Sequence, residues 1–377
     1  MTLRQKIERE IRERGSIPFS RYMELCLYDP ELGYYSRNTE QFGKAGDFYT
    51  SSDVHAVFGR LLARQFDEMW RVLGSPDHIE IVELGPGRGL FAQDVLGWSE
   101  KKSPDFFRAL HYVLIESSSA LRERINKNIA RHFESGKAEL AAASSFDTGA
   151  TPAIVFANEF FDALPVEILS KKGSLRIDAC DGRFIETWTQ PSAEEMEFLD
   201  RYSVHPEAHE RIEAPLAAQQ YMNRIAASVQ RGFLVAIDYG YAREEQLAGR
   251  HRGTLKAIRQ HSIGGSPYEA PGEQDITADV NFTALAAAAE KNGMQTHRLV
   301  TQSQFLMGIG EANQFADAFE ECRLPQERAK VALQLKHLVT PAGMGESFHV
   351  LIGSKGIEKE RVESLSGLGF CRRTGLF

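Results

Sequence analysis

The sequence predicts an α/β fold built on a doubly wound, largely parallel sheet. Three observations predict it. Short apolar runs rich in β-branched residues alternate with stretches of helical periodicity. The first of those runs passes directly into the glycine-rich "GPGRG" of residues 85–89 and then into a helical stretch. Both of the first two runs carry a glutamate at or beside the carboxyl end, Glu83 and Glu116.

The elements follow in order. Residues 2–14 and 18–28 read as helices, and a turn-rich stretch runs from there to Asp53. Residues 54–73 place apolar side chains at helical spacing, and Gly74-Ser75-Pro76 ends that helix. Strands are expected at 77–84, 111–117, 153–158 and 232–240, with helices between them near 88–97, 118–133 and 215–231. Apolar strands alternating with helices imply a parallel sheet covered on both faces, and right-handed crossovers wind it both ways.

Segment 171–214 breaks this alternation. Asp181-Gly182 between two strand-like runs signals a hairpin with a type I′ turn. The acidic stretch after it, "PSAEEMEFLDRYSVHPEAHER", reads as helical. Together they are expected to form an insertion on the strand ends. Residues 241–280, rich in Gly, Pro and His, are expected to loop over the site. Residues 296–306 and 347–354 resemble a closing antiparallel pair. The expected layout is an N-terminal helical or lid segment (1–53), a core (54–170 and 215–355), an inserted substrate-side subdomain (171–214) and a C-terminal tail (356–377).

Bulk properties set the limits. With 377 residues, 42% hydrophobic and 25% charged, the chain can bury the core of one large domain with additions, or of two. A net charge of -8 argues against nucleic acid as the main partner. Cys26, Cys180, Cys322 and Cys371 are far apart and form no zinc-spaced set, as suits a reducing compartment without a bound metal. No apolar run reaches the ~18 residues of a membrane span. The first fifteen residues are Arg-rich, but Glu8, Glu10 and Glu13 interleave with the arginines, which a targeting presequence avoids. An ordinary first helix in a cytoplasmic protein is expected.

The glycine turn carries the chemistry. A strand-to-helix turn of glycines presents backbone N–H groups and allows close approach of a ligand. The dinucleotide fingerprint is G-x-G-x-x-G. Here Gly85, Gly87 and Gly89 fall at every second position around Pro86, with Glu83 two residues before the first. That pattern resembles the acid-x-G-x-G-x-G motif of class I S-adenosylmethionine (SAM) methyltransferases. A carboxylate at the strand end favours a cation such as the α-ammonium or sulfonium of SAM and repels a pyrophosphate. Glu116, followed by Ser117, can accept both ribose hydroxyls. A tight turn without ligand and a solvated strand-end acid are the plainer alternatives.

The fourth strand runs into "NEFFDALPVE", residues 158–167. Ligands sit at the carboxyl ends of such strands, which makes Asn158 a cofactor-side residue and Glu159 the first catalytic candidate. Asp162 and Glu167 are candidate partners, although Asp162 could instead cap a helix and Glu167 could lie on a solvated face. Two carboxylates can orient a guanidinium by bidentate hydrogen bonding and hold its charge. Phe48, Tyr49 and Thr50 in "GDFYTSSDV" could wall the cofactor or belong to a helix-capping loop. Asp238 and Tyr239 close the next strand, and Gln274 and Asp275 follow Pro271-Gly272; all four are substrate-side candidates. His251, Arg252, Lys256, Arg259 and His261 could meet an anionic substrate or simply form a solvated loop.

Six stretches carry a family resemblance: "FSRYMELCLYDPELGYYS", "GDFYTSSDV", "VELGPGRG", "NEFFDALPV", "PGEQDITADVNF" and "MGESFHVL". Over most of its length the chain resembles the MidA-like methyltransferases, the family that includes the mitochondrial arginine methyltransferase acting as a complex I assembly factor. The resemblance implies a class I SAM-methyltransferase (Rossmann-like) fold, SAM as cofactor and an arginine of a protein substrate, such as a complex I subunit, as target. It implies a mitochondrial matrix location if the chain is eukaryotic. It also implies a lid role for the "GDFYTSSDV" segment. "ADVNF" departs from the expected "AHVDF" at Asp279 and Asn281. A small-molecule methyltransferase and a SAM-binding assembly chaperone are the competing functions, and the glycine spacing disfavours an NAD-dependent oxidoreductase. A homodimer is one oligomeric state open to the chain.

Overall fold

The computed structural model describes residues 1–37, 56–142, 148–259, 262–263 and 265–373. These form two compact units. One comprises Met1–Tyr49, Phe161–Met222 and Tyr239–Ala288; the other comprises Thr50–Phe160, Asn223–Asp238 and Ala289–Phe377.

The second of these units holds the doubly wound sheet. Its strands are β1 (Ile79–Leu84), β2 (Leu110–Ile115), β3 (Ala138–Ala141), β4 (Ala153–Asn158), β5 (from Gly232), β6 (Gln295–Thr296), β7 (Val300–Thr301) and β8 (Phe348–Lys355). They lie in the order β6-β8-β5-β4-β1-β2-β3, with β7 also paired to β8. The β2–β3, β1–β2, β1–β4 and β4–β5 pairings are parallel; β6 and β7 run antiparallel to β8. The strand order reverses between β1 and β4, the switch point where such sheets open a ligand crevice. The α/β class and the four expected strands, β1, β2, β4 and β5, match the sequence expectation; the fifth parallel strand, β3, was not expected. Near-continuous burial explains why these strands read as apolar runs without alternation.

Helix α1 (Ala56–Val72) and helix α2 (Leu90–Lys102) pack aromatic side chains onto the sheet. Phe91 stacks on Phe156 of β4 with ring centroids 4.4 Å apart, and Phe66 meets the same ring edge-on at 5.6 Å. Each such ring contributes about 1.5–3 kcal/mol on burial.

The other unit joins the N-terminal helices, Leu3–Arg14 and Phe19–Tyr28, to the segment after β4. Strands Ile17–Pro18, Glu167–Ser170, Gly173–Cys180, Arg183–Thr189 and Arg211–Ala214 make one sheet. The hairpin turn is as expected: Asp181 and Gly182 both have positive φ, 49° and 71°. Phe19, Tyr22, Met23 and Cys26 fill its core with Ile168, Leu175 and Ile177. The strands of segment 171–214 thus share one sheet with Ile17–Pro18 of the N-terminal segment.

Three further expectations differ from the structure. Residues 241–280 contain a short helix, Arg243–Leu247, and a three-stranded sheet of Lys256–Arg259, Ser262–Ile263 and Asp275–Thr277. These elements are too short to show periodicity. In 296–306 only two short strands pair with β8, because Thr301 opens a helix, Gln302–Glu311, through a capping box with Gln304. The C-terminal segment carries helices Lys359–Glu363 and Ser366–Arg373, with Val362 and Leu365 buried.

Candidate active site

Glu83 is the penultimate residue of β1 and is 4% exposed. Its parallel-strand register partner is Phe156, so the two share one face of the sheet. Tyr112 of β2 donates its hydroxyl to Glu83 Oε2 at 2.8 Å. Burial pushes the Glu83 carboxyl up to about 8, Tyr112 pulls the other way, and no charged neighbour among the described residues contributes.

The turn after β1 needs its glycines. Gly85, Gly87 and Gly89 have φ of 62°, 54° and 75°, the left-handed region. A Cβ on Gly85 would also stand 3.0 Å from the ring of Phe160. Gly89 is the N-cap of α2, and among the described residues no side chain caps that helix. Its first-turn N–H groups are thus left to water or a ligand. Asn128 Nδ2 donates to the Arg88 carbonyl at 2.8 Å and holds the turn from outside.

Glu116 follows β2 and is 8% exposed. The Ser118 N–H donates to its Oε1 at 2.7 Å. Burial pushes the carboxyl up to about 7, while the amides of Ser118 and Ser117 and the charge of Arg122 favour its ionised form. At the end of β4, Asn158 Nδ2 donates to Glu159 Oε1 at 3.1 Å. Asn158 Oδ1 is buried without a hydrogen-bond partner among the described residues. Glu159 has φ 49°, left-handed backbone that a non-glycine residue seldom adopts, and its N–H donates to the Ile237 carbonyl at 2.9 Å. Asp238, fully buried, accepts the Phe160 N–H at 3.2 Å. Two buried carboxylates, a glycine turn and an orphaned amide oxygen suit a ligand bearing a cation and a diol, and SAM carries both. The turn, the two acids, Asn158, Glu159 and Asp238 all belong to the sheet unit.

The remaining candidates belong to the other unit. Asp162 Oδ2 accepts the Tyr239 hydroxyl at 2.6 Å, and its backbone carbonyl accepts the Ala278 N–H at 3.1 Å. Burial raises its carboxyl. Asp275, 2% exposed, accepts the Tyr35 hydroxyl at 3.0 Å. Gln274 donates to the Ser266 carbonyl at 3.1 Å and is buried. Glu167 accepts both the hydroxyl and the N–H of Ser20, in the first turn of helix Phe19–Tyr28. Phe48, Tyr49 and Thr50 lie outside the described residues.

The basic stretch is occupied internally. His251 meets Asp279 at 3.0 Å and stacks on Tyr241; Arg252 pairs with Glu210, Lys256 with Asp279 and Arg259 with Glu273. His261 lies outside the described residues. The "ADVNF" departure also has local roles, since Asn281 Oδ1 accepts the Ala284 N–H at 2.9 Å and caps the next helix. Sequence reasoning passed over Tyr112, Asn128, Tyr35 and Ser20. Tyr112 alone left a signal, a hydroxyl in the otherwise apolar run "YVLI".

Sheet order, glycine turn and paired strand-end acids define a class I SAM-dependent methyltransferase. A family profile for "S-adenosyl-L-methionine-dependent methyltransferase" matches residues 61–300. A Drosophila melanogaster relative, protein arginine methyltransferase NDUFAF7 homolog, mitochondrial, is 28% identical and covers 98% of this chain and 88% of its own. The Homo sapiens protein arginine methyltransferase NDUFAF7, mitochondrial, is 26% identical over 90% of this chain and 80% of its own. A Burkholderia thailandensis crystal structure bound to S-adenosyl-homocysteine is similar at TM-score 0.83 and 26% identity, covering 97% of this chain and 94% of that one. The chain belongs to the MidA-like family of SAM-dependent methyltransferases. Among the described residues, no helix is long and apolar enough to cross a membrane.

Proposed function

We propose that this chain transfers the methyl group of SAM to an arginine side chain of a protein. The observation that carries this reading is Glu159: a carboxylate at the carboxyl end of β4, held in left-handed backbone and hydrogen-bonded by Asn158. The names of the relatives as protein arginine methyltransferases support it.

When bound, SAM supplies a methyl group on a sulfonium leaving group. The chain's share is binding, orientation and proton handling. Glu83 holds positive charge, Glu116 accepts the ribose hydroxyls, and the α2 N-terminus and its glycines admit the ligand closely. Asn158 offers its free amide oxygen. Glu159 hydrogen-bonds the target guanidinium, fixes its orientation and accepts the proton lost as the N–C bond forms. Glu167 is left out of this scheme because both of its oxygens engage Ser20. A complex I subunit as target, and a matrix location in a eukaryotic source, rest on the family resemblance.

The test is labelled-methyl transfer from SAM into an extract of cells lacking this protein, with mass spectrometry to locate the label. Label on an arginine of one protein, lost in Glu159→Gln while SAM still binds, is the expected result. Label on a metabolite, or none despite SAM binding, overturns the proposal.

A further inference from the structure

Glu83 poses a problem that its place in the fold does not solve. It is 4% exposed, lies in register with Phe156, on whose ring Phe66 and Phe91 pack, and has a neutral phenol as its hydrogen-bond partner. An isolated carboxylate in such surroundings is costly to ionise. The cofactor of the family, SAM, is a cation. A protonated Glu83 cannot attract that cation by charge; an ionised one can.

Among the described residues, the groups around it offer no alternative counter-charge. From β2 comes Tyr112, whose own ionisation is suppressed by burial and by Glu83. From β4 comes Phe156. On the two helices over that face, Asp67 is bonded to Ser103 and Arg71, and Arg64 is paired with Asp317. Asp94 has Arg60 as its favourable charge. None of these reaches Glu83.

We propose that Tyr112 is a positioning residue for the cofactor: its hydroxyl holds the Glu83 carboxylate ready, and SAM binding drives the ionisation of Glu83 with release of one proton to solvent. The balance is simple. The Glu83 O–H bond breaks, its proton passes to buffer, and the resulting carboxylate is compensated by the positive charge of SAM and the Tyr112 hydrogen bond. This holds whatever substrate receives the methyl group.

The sign follows from linkage. Free Glu83 titrates at about 8, and the cation lowers that value in the complex. Affinity therefore rises with pH below about 8, up to tenfold per unit, and levels off above it. Tyr112 favours the ionised form, so Tyr112→Phe shifts the rise to higher pH. Its affinity should be about tenfold weaker than wild type at pH 6.5 and converge with wild type at pH 9.5, a one-unit displacement being a factor of ten. The α-amino group of SAM affects both proteins alike, so the ratio of affinities isolates the protein's group.

The experiment is calorimetric titration of the full chain with SAM at pH 6.5, in two buffers of different ionisation enthalpy, which counts protons released on binding. Wild type and Tyr112→Phe should each release about one proton more than Glu83→Gln, whose remaining release comes from Glu116, itself pushed up to about 7. Affinities of wild type and Tyr112→Phe are then compared from pH 6.5 to 9.5, with the melting transition of each unliganded protein confirming that it is folded. Wild-type binding without proton release overturns the proposal. So does release in Glu83→Gln equal to that of wild type, which would assign the whole of it to Glu116. A Tyr112→Phe deficit that is equal at every pH reduces Tyr112 to a packing role and overturns it as well. If Glu83→Gln does not fold, the pH-dependent affinity ratio of Tyr112→Phe decides.

Discussion

Tyr239 donates its hydroxyl to Asp162 Oδ2 over 2.6 Å, and burial raises the Asp162 carboxyl from its ordinary value. The two residues lie far apart in sequence, Asp162 four residues after the end of Ala153–Asn158 and Tyr239 within the strand Gly232–Tyr241. A carboxyl with a raised native pKa holds its proton where the unfolded chain has lost it. Its contribution to stability is thus full below the unfolded value and lost as pH rises through the native one. The phenol opposes that loss by stabilising the ionised form. Tyr239→Phe should cost about 1.5–3 kcal/mol at pH 7.5 and distinctly less at pH 4.5. Urea denaturation at the two pH values measures both. Equal deficits would mean that the phenol acts through packing alone.

Gly85 and Gly97 separate two uses of glycine. Gly85 has φ 62° and the Phe160 ring 3.0 Å from where a Cβ would stand; Gly97, inside α2, has nothing within 4 Å. Gly85→Ala should destabilise by roughly 1–2 kcal/mol for the left-handed backbone alone and weaken SAM binding. Gly97→Ala should stabilise by about 0.5–1 kcal/mol and leave binding unchanged. Thermal melts with and without S-adenosyl-homocysteine check both. A Gly85→Ala protein that binds as well as wild type would show that the turn tolerates a side chain.

The parallel sheet was legible because burial on both faces turns each strand into an apolar run. "IEIVEL" and "AIVFAN" announce themselves without any knowledge of their neighbours. The glycine turn was legible because left-handed backbone restricts residue choice. What could not be read were contacts between elements distant in sequence. Glu167 gives no sign that Ser20, 147 positions earlier, occupies it. Nor does the basic stretch show that Glu210, Glu273 and Asp279 neutralise it. Short elements failed for a different reason. A strand of two or three residues such as Asp275–Thr277 has no period to detect.

Asn281 illustrates how a departure from a family pattern can be absorbed locally. Its Oδ1 caps the helix Phe282–Lys291, and its Nδ2 donates to the Tyr202 carbonyl at 2.9 Å. An aspartate can supply the first bond but not the second. Asn281→Ala should therefore cost about 1 kcal/mol or more through the lost cap, and Asn281→Asp should lie between it and wild type. Chemical denaturation of the three proteins gives the order. An aspartate variant as unstable as the alanine one would remove the cap from the explanation.

Glu159 carries both strain and the proposed chemistry, and the two can be measured apart. Its φ of 49° places a Cβ-bearing residue in left-handed backbone, at a cost of roughly 1–2 kcal/mol. Such strain is retained at sites where the backbone is needed in that geometry. Glu159→Gly relieves it, whereas Glu159→Ala keeps it; both remove the carboxylate. The glycine variant should be the more stable of the two by about 1 kcal/mol, less any entropy that glycine adds to the unfolded chain. Both should retain SAM affinity within a few-fold and lose methyl transfer by about a hundredfold or more, the scale set by removing a positioned base. Denaturation midpoints, calorimetric affinity and single-turnover transfer rates separate the three effects. Methyl transfer that survives in Glu159→Gly would move the base elsewhere, while equal stability of the two variants would show that the strain is taken up by the turn.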